Sequence, residues 1–270
     1  KTPLAIAMAA AWRARGRRPH CLARGYGGHE RGPLRVDPAR HDARAVGDEA
    51  LLLARAAPTW IARDRVAGAR AAAGAGADVV VLDDGFQNPC LRKDLSLVAV
   101  DGAYGFGNGR VMPARPLRES MERGLARADA VVVIGPDAGG IGRALRGGPP
   151  VLSARLEPNP EAAALRGRRV LAFAGIGRPE KFFATLVALG ARVAEKCPFP
   201  DHHPYRQGEV DHLLARAAEL DATPITTEKD AARLPADTRQ RIAVLGVALV
   251  WDDPAALDLL LDRLHNRPVP

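Results

Sequence analysis

Short runs of consecutive apolar residues set the strongest constraint on this chain: "PHCLA" at 19–23, "PTWIA" at 58–62, "DVVVLDD" at 78–84, "LSLVAVD" at 95–101, "DAVVVIG" at 129–135 and "RRVLAFAG" at 168–175. Helical patterns at 3–15, 49–56, 64–74 and 117–127 fall between several of them. A strand that is apolar at successive positions is buried on both faces, as in a parallel sheet covered by helices on each side. The sequence therefore predicts an α/β protein. The segment 153–169, with two prolines, Asn159 and clustered charge, interrupts the rhythm and reads as a linker. After it, strand signals near 168–175, 191–196, 223–227 and 241–251 precede a last helix at 254–264. Two α/β domains are expected, roughly 1–155 and a smaller one at 165–270, with a cleft between them.

The bulk numbers narrow the function classes. A chain of 270 residues with 47% hydrophobic and 26% charged residues can bury one large core or two modest ones, so a disordered chain is not expected. Its longest apolar stretches, such as "IAVLGVALV", fall well short of the ~20 residues of a membrane-spanning helix. The 39 Lys and Arg against 31 Asp and Glu give +8, and only five of the 39 are lysine. Arginine forks suit phosphate and carboxylate groups, although an arginine-rich coding bias explains the same count. Aromatic residues, at 4%, are too few for a stacking surface interleaved with basic runs, so no nucleic-acid partner is expected. An anionic lipid surface or a phosphorylated substrate fits the charge. Cys21, Cys90 and Cys197 are widely spaced and form no C-x-x-C pair, which argues against a disulfide framework or structural zinc and for a reducing cytoplasm.

Several stretches carry residues suited to chemistry, each with a purely structural alternative. Lys1-Thr2 directly ahead of an apolar helix is how a phosphate-binding loop of the form G-x-x-x-x-G-K-[ST] ends. In "ADVVVLDDGFQN" an apolar strand runs into Asp83 and Asp84, where a parallel sheet places its ligand crevice and a metal-holding aspartate; an Asp-Gly turn gives the same letters. The loop "LARGYGGHERGP" brings Arg24 and four glycines together, either as an anion site or as a surface turn. Asp48 and Glu49 open a helix, as N-cap and first-turn acid or as a general base. Arg118 and Glu119 follow a Gly- and Pro-rich stretch, as a phosphate clamp and Mg²⁺ partner or as surface ion pairs. His202 and His203 precede a helix in "PFPDHHPYRQGEVDHLL", and "ITTEKDAARL" offers Thr227, Glu228, Lys229 and Asp230.

Taken in order, "KTP" at 1–3, "ARGYGG" at 23–28, "VGDE" at 46–49, "DDGFQ" at 83–87, "GFGNG" with "PLRE" at 105–119, "FAGIGRPEKFF" at 173–183, "DHH" and Tyr205 at 201–205, and "TTEKDA" at 226–231 resemble the tetraacyldisaccharide 4′-kinase family over nearly the whole chain. The resemblance implies a P-loop NTPase-like parallel sheet flanked by helices, with a second smaller α/β domain that closes over the active site. It implies transfer of the γ-phosphoryl group of ATP, with Mg²⁺, to the 4′-hydroxyl of an acylated disaccharide 1-phosphate lipid, giving lipid IVA in lipid A biosynthesis. A monomer on an anionic membrane surface, at the cytoplasmic face of the bacterial inner membrane, is the expected setting. Because the family carries glycines and a membrane-associated helix ahead of this lysine, the sequence is expected to open inside its phosphate loop.

Residue by residue, the resemblance assigns Asp48 and His202 to catalysis and Lys1, Thr2 and Arg118 to the nucleotide. It assigns Thr2, Asp83, Asp84 and Glu119 to the metal, and Arg24, Glu49, Arg65, Gln87 and Asn88 to the substrate. The chain departs from the family pattern at Asn88, where histidine is usual, at Ala23, where serine is common, and at Arg115, where glycine is usual. Asparagine hydrogen-bonds but does not titrate, which puts proton handling at position 88 in question. Two other readings compete: another P-loop small-molecule kinase or NTPase, and a non-enzymatic basic nucleic-acid binder whose affinity would fall steeply with salt without needing ATP. The N-K-x-D base-specificity motif of a GTPase is missing from the sequence.

Overall fold

Strand Pro19–Ala23 is buried at every position, and it lies inside a four-stranded sheet in the order Leu34–Arg35, Thr59–Ile61, Pro19–Ala23, Val79–Leu82. All its pairings are parallel except that of Leu34–Arg35 with Thr59–Ile61. The computed structural model describes residues 1–114, 116–235 and 237–265, so Arg115 lies outside the described residues. A second four-stranded sheet runs Leu97–Asp101, Ala130–Ile134, Val151–Pro158, Val247–Trp251, with only the last pairing antiparallel. The third is wholly parallel, in the order Arg192–Pro198, Arg169–Ala174, Thr223–Thr227, Ala243–Leu245.

Helix Thr2–Ala14 joins the first two sheets. Its alanine-rich sequence favours a helix, and Pro3 sits in the first turn, where a missing N–H costs nothing. One face, through Ala5 and Ala9, packs on Cys21, Ala23 and the helix Asp48–Ala56, while Leu4 and Met8 on another pack against Ala130, Val132 and Leu152. Strands Val79–Leu82 and Leu97–Asp101 belong to different sheets, and a cavity of about 1210 Å³ lies between them. Apolar side chains such as Val80, Leu82 and Val98 line it, and Lys1, Asp84 and Arg118 form a polar end. In the third sheet the period-2 rule divides one strand between two helices. Val170, Ala172 and Ala174 meet Phe182, Phe183 and Leu186 of Pro179–Ala188, whereas Leu171 and Phe173 meet Val210 and Leu213 of Gln207–Glu219.

Four expectations are corrected here. The stretch 153–169 is not an open linker: Val151–Pro158 is an eight-residue strand and Pro160–Leu165 a 3₁₀ helix. The strand hides in "SARLEP" because only Leu152 and Ala154 are buried along it, on alternate positions of a half-exposed strand. The single apolar run 241–251 is two strands in two sheets, split at Gly246, where a Cβ would run into Asn159 and Glu228. As a result 165–270 does not stay together. Val247–Trp251 pairs back onto Val151–Pro158, and Pro254–His265 buries Leu257, Leu260 and Leu261 against Leu4, Met8 and Ala130. The first lobe thus comprises two sheets and the C-terminal helix, and the second lobe the third sheet with its helices. Lastly, the helix expected at 117–127 begins only at Met121, because Pro116–Leu117 is a strand and the Ser120 hydroxyl caps the backbone N–H of Arg123.

Candidate active site

Strand Val79–Leu82 ends at Asp83 and Asp84, which diverge because Asp84 takes a positive φ of 53°. Asp83 is buried and accepts a hydrogen bond of 2.8 Å from the Thr2 hydroxyl at the start of the first helix. Asp84 pairs with Lys1 at 2.7 Å and with Arg118 at 3.2 Å. Burial pushes the Asp84 carboxyl up, but the hydrogen bond and charge of Lys1, with Arg118, outweigh it and hold the group below the usual carboxylate range. A helix N-terminus, a lysine and an arginine thus converge on one strand end, an arrangement that attracts phosphate.

Arg65 opens the helix Arg65–Gly74 and is 6% exposed. Its guanidinium donates to the carbonyls of Ala23 and Ala62, and its Nε has no protein partner. Burial first, and then the neighbouring Arg24, depress its pKa, against the charges of Asp84 and Asp83. Arg24 itself is exposed at the end of strand Pro19–Ala23.

Asp48 is not the helix cap that its position allows. Gly47, at a φ of 87°, is the N-cap of Asp48–Ala56, and a Cβ there would collide with the Tyr26 carbonyl. Asp48 becomes the first helical residue, 3% exposed, with Oδ1 accepting the Glu49 N–H at 2.8 Å. Its Oδ2 faces the second lobe, 3.2 Å from His202 Nδ1 and 3.3 Å from Arg233 Nε. On the far side of the imidazole, Lys229 Nζ lies 3.2 Å from Nε2 and 3.5 Å from Glu49 Oε1. Burial, with Asp83 and Asp48 nearby, raises the Glu49 pKa, and Lys229 and His202 oppose the rise. His202 holds a positive φ of 58°, and its ring meets Tyr26 edge-on at 5.4 Å between centroids. A non-glycine residue in the left-handed region costs roughly 1–3 kcal/mol and marks a position fixed by its surroundings. Arg233 is fixed in turn by the carbonyls of Gly175 and His203 and by the fully buried Asp230.

The remaining expected residues fall apart from these two groups. Both oxygens of Glu119 are taken by the Arg127 fork at 2.8 Å, and Gln87 donates to it at 3.2 Å, so Glu119 is not brought to the Thr2–Asp83 pair. Asn88 folds its side chain onto the Cys90 N–H at 2.9 Å, in a cavity of about 510 Å³ that it shares with Gln87 and Glu119. Sequence reasoning missed a second contact between the lobes: Asp101, at the end of Leu97–Asp101, pairs with Arg178 at 3.1 Å and Lys181 at 2.5 Å. Arg178 also lies over the Tyr104 ring, 4.6 Å from its centre. Arg233 was missed as a site residue too, and Lys229 was offered within "TTEKDA" but given no role.

No cluster of three His, Cys, Asp or Glu side chains suited to a metal occurs among the described residues. Mg²⁺ does not require one: it takes one or two carboxylates, waters and substrate phosphates. Thr2, Asp83 and Asp84 offer an all-oxygen set of that kind.

A parallel α/β fold with a phosphate-attracting helix start, paired aspartates at a strand end and a buried carboxylate against a half-buried imidazole defines a phosphoryl-transfer enzyme with a P-loop NTPase-like fold. The sequence model of the tetraacyldisaccharide-1-P 4′-kinase family matches residues 1–265. The chain belongs to that family, and it is a kinase. Among its relatives, the tetraacyldisaccharide 4′-kinase of Rhodospirillum centenum is 61% identical over 98% of this chain and 79% of its own length. The Rhodospirillum rubrum protein of the same name is 58% identical over 98% and 81%. The crystal structure of the "apo" form of LpxK from Aquifex aeolicus in complex with ATP superposes with a TM-score of 0.73 over 97% of this chain and 83% of that one, and at 24% identity it shows the shared fold.

Proposed function

We propose that this chain transfers the γ-phosphoryl group of ATP to the 4′-hydroxyl of a tetraacylated disaccharide 1-phosphate, giving lipid IVA on the way to lipid A. The observation that carries this reading is the 3.2 Å contact of Asp48 with His202, beside the Lys1, Thr2, Asp83 and Asp84 group. Lys1 and Arg118 bind the nucleotide phosphates. Thr2, Asp83 and Asp84 hold Mg²⁺, which when bound supplies positive charge against the β- and γ-phosphates. Arg65 and Arg24 steady anionic oxygens, and Glu49 borders the acceptor. Phosphoryl transfer has a loose transition state, so positioning and charge do most of the work, and Asp48 accepts the hydroxyl proton as the new bond forms. The second lobe holds His202 against Asp48 and covers the bound lipid. Because one chain supplies both halves of this pair, a monomer suffices.

Incubation of the purified protein with ATP, Mg²⁺ and tetraacyldisaccharide 1-phosphate is expected to add one phosphate at the 4′ position, read by mass spectrometry and NMR. ATP turnover without a phosphorylated lipid overturns the acceptor. The described residues contain no helix long and apolar enough to cross a membrane. With a formal charge of +8, attachment of this chain to the cytoplasmic face of the inner membrane is electrostatic and reversible. Co-sedimentation with vesicles should need anionic lipid and fall as salt rises; binding indifferent to both rejects that attachment.

A further inference from the structure

We infer that Lys229 is a positioning residue that holds His202 in the tautomer with the proton on Nδ1, so that the imidazole donates to Asp48 and does not draw a proton from it. The inference rests on the kinase reading above and deepens its account of the Asp48–His202 pair.

An ammonium group has donors and no acceptor. Lys229 Nζ lies 3.2 Å from His202 Nε2, so that nitrogen must present its lone pair. A proton on Nε2 would point at the ammonium. The imidazole hydrogen therefore sits on Nδ1, 3.2 Å from Asp48 Oδ2, and is donated to it. Lys229 is itself held by Glu49 Oε1 at 3.5 Å and Asp201 Oδ1 at 4.0 Å, and its side chain is 23% exposed. The backbone of His202 is fixed by its N–H bond to the Gly175 carbonyl at 3.0 Å, and Tyr26 meets the ring edge-on.

The consequence falls on Asp48. Its Oδ2 receives the imidazole N–H and faces the Arg233 guanidinium, while among the described residues Oδ1 receives only the Glu49 N–H. The open lone pair on Oδ1 is then the acceptor for the sugar proton, and His202 orients the carboxylate without sharing that proton.

The test uses the ¹⁵N-labelled full chain at mildly alkaline pH, with the His202 ring signals assigned by their loss in His202→Asn. Two-bond ¹H–¹⁵N spectra are expected to show a pyrrole-type Nδ1 and a pyridine-type Nε2. In Lys229→Met the proton should move wholly or partly to Nε2, and kcat should fall by about 10–100-fold with the KM for ATP unchanged; Lys229→Arg should recover part of both. A pyrrole-type Nε2 in the parent protein overturns the inference, as does a Lys229→Met spectrum identical to the parent's. Should Lys229→Met fail to fold, Lys229→Gln takes its place, since its amide oxygen can accept from Nε2 and is expected to shift the proton in the same direction. An Nδ1–H tautomer in a protein that phosphorylates no lipid leaves the tautomer standing and removes the kinase reading instead.

Discussion

Asp48 shows how one carboxylate is prepared by its surroundings. Buried at the first position of a helix and flanked by His202 and Arg233, it is held in one orientation before any substrate arrives. General-base catalysis is typically worth about 10²–10⁴-fold. Asp48→Asn is expected to lower kcat by that factor and to leave ATP affinity, measured by calorimetry, nearly unchanged. Adding His202→Ala to it should cost little more, since residues that act as a unit do not contribute additively; multiplicative losses would separate them. The cysteines make a second case of environment overriding residue type. Burial, reinforced by the charge of Asp83, pushes the Cys21 thiol up to about 12, whereas Cys90 is exposed. Only the thiolate reacts. At pH 8 a maleimide should therefore label Cys90 first, then the half-buried Cys197, whose pKa burial and Glu195 also raise, and Cys21 only on unfolding, as mass spectrometry of tryptic peptides will show.

At the scale of elements, the site depends on where helices and strands begin and end. Gly47 allows the chain to turn at a positive φ directly beneath the Tyr26 carbonyl, which fixes the start of Asp48–Ala56 and with it the direction of Asp48. Gly47→Ala meets both the backbone strain, about 1–3 kcal/mol, and the collision. It should lower Tm, by about 2–4 °C for each kcal/mol lost, and reduce kcat in the fraction that stays folded. Normal kcat and Tm would show that the turn adapts. The expected starts of Asp48–Ala56 and Arg65–Gly74 lie within a residue of the observed ones, because caps and apolar spacing are local signals. Val151–Pro158 was illegible for the opposite reason. Its charged residues satisfy the open side of a sheet, and nothing nearby in sequence reveals the partner strand Val247–Trp251.

At the scale of the molecule, two ionic contacts tie the lobes together. One is the Asp48, Glu49, His202, Lys229 and Arg233 group, and the other is Asp101 with Arg178 and Lys181. The first lobe supplies the acids and the second the bases. Burial raises the Asp101 carboxyl, but its hydrogen bond to Lys181 and the charges of Lys181 and Arg178 bring it below its ordinary value. A carboxyl depressed in the folded state stabilises that state above the unfolded pKa, about 3.9, and loses the contribution as pH falls through the lower folded value. The Asp101 contact should therefore persist across neutral pH and fail only in acid. Pairs this exposed contribute about 0.2–1 kcal/mol each. Asp101→Asn is expected to change Tm little, to raise the KM for the lipid and to widen the particle in small-angle scattering. An unchanged KM and scattering profile would make the contact an ordinary surface pair.

The sequence by itself determined the parallel α/β character, the strand end at Asp83 and Asp84 and a helix start within a residue of Thr2, because a run of apolar strand residues and a helix beginning are written in neighbouring residues. It also carried the family, through motifs spread from Lys1 to Ala231. Only the tertiary structure decided that 247–265 returns to the first lobe, that Glu119 is claimed by Arg127, and that Lys229 and Arg233 stand beside the Asp48–His202 pair. Asp48 and His202 are 154 positions apart. A contact at that separation is set by how two separately built lobes dock through their charged groups, and no local pattern of residues specifies it.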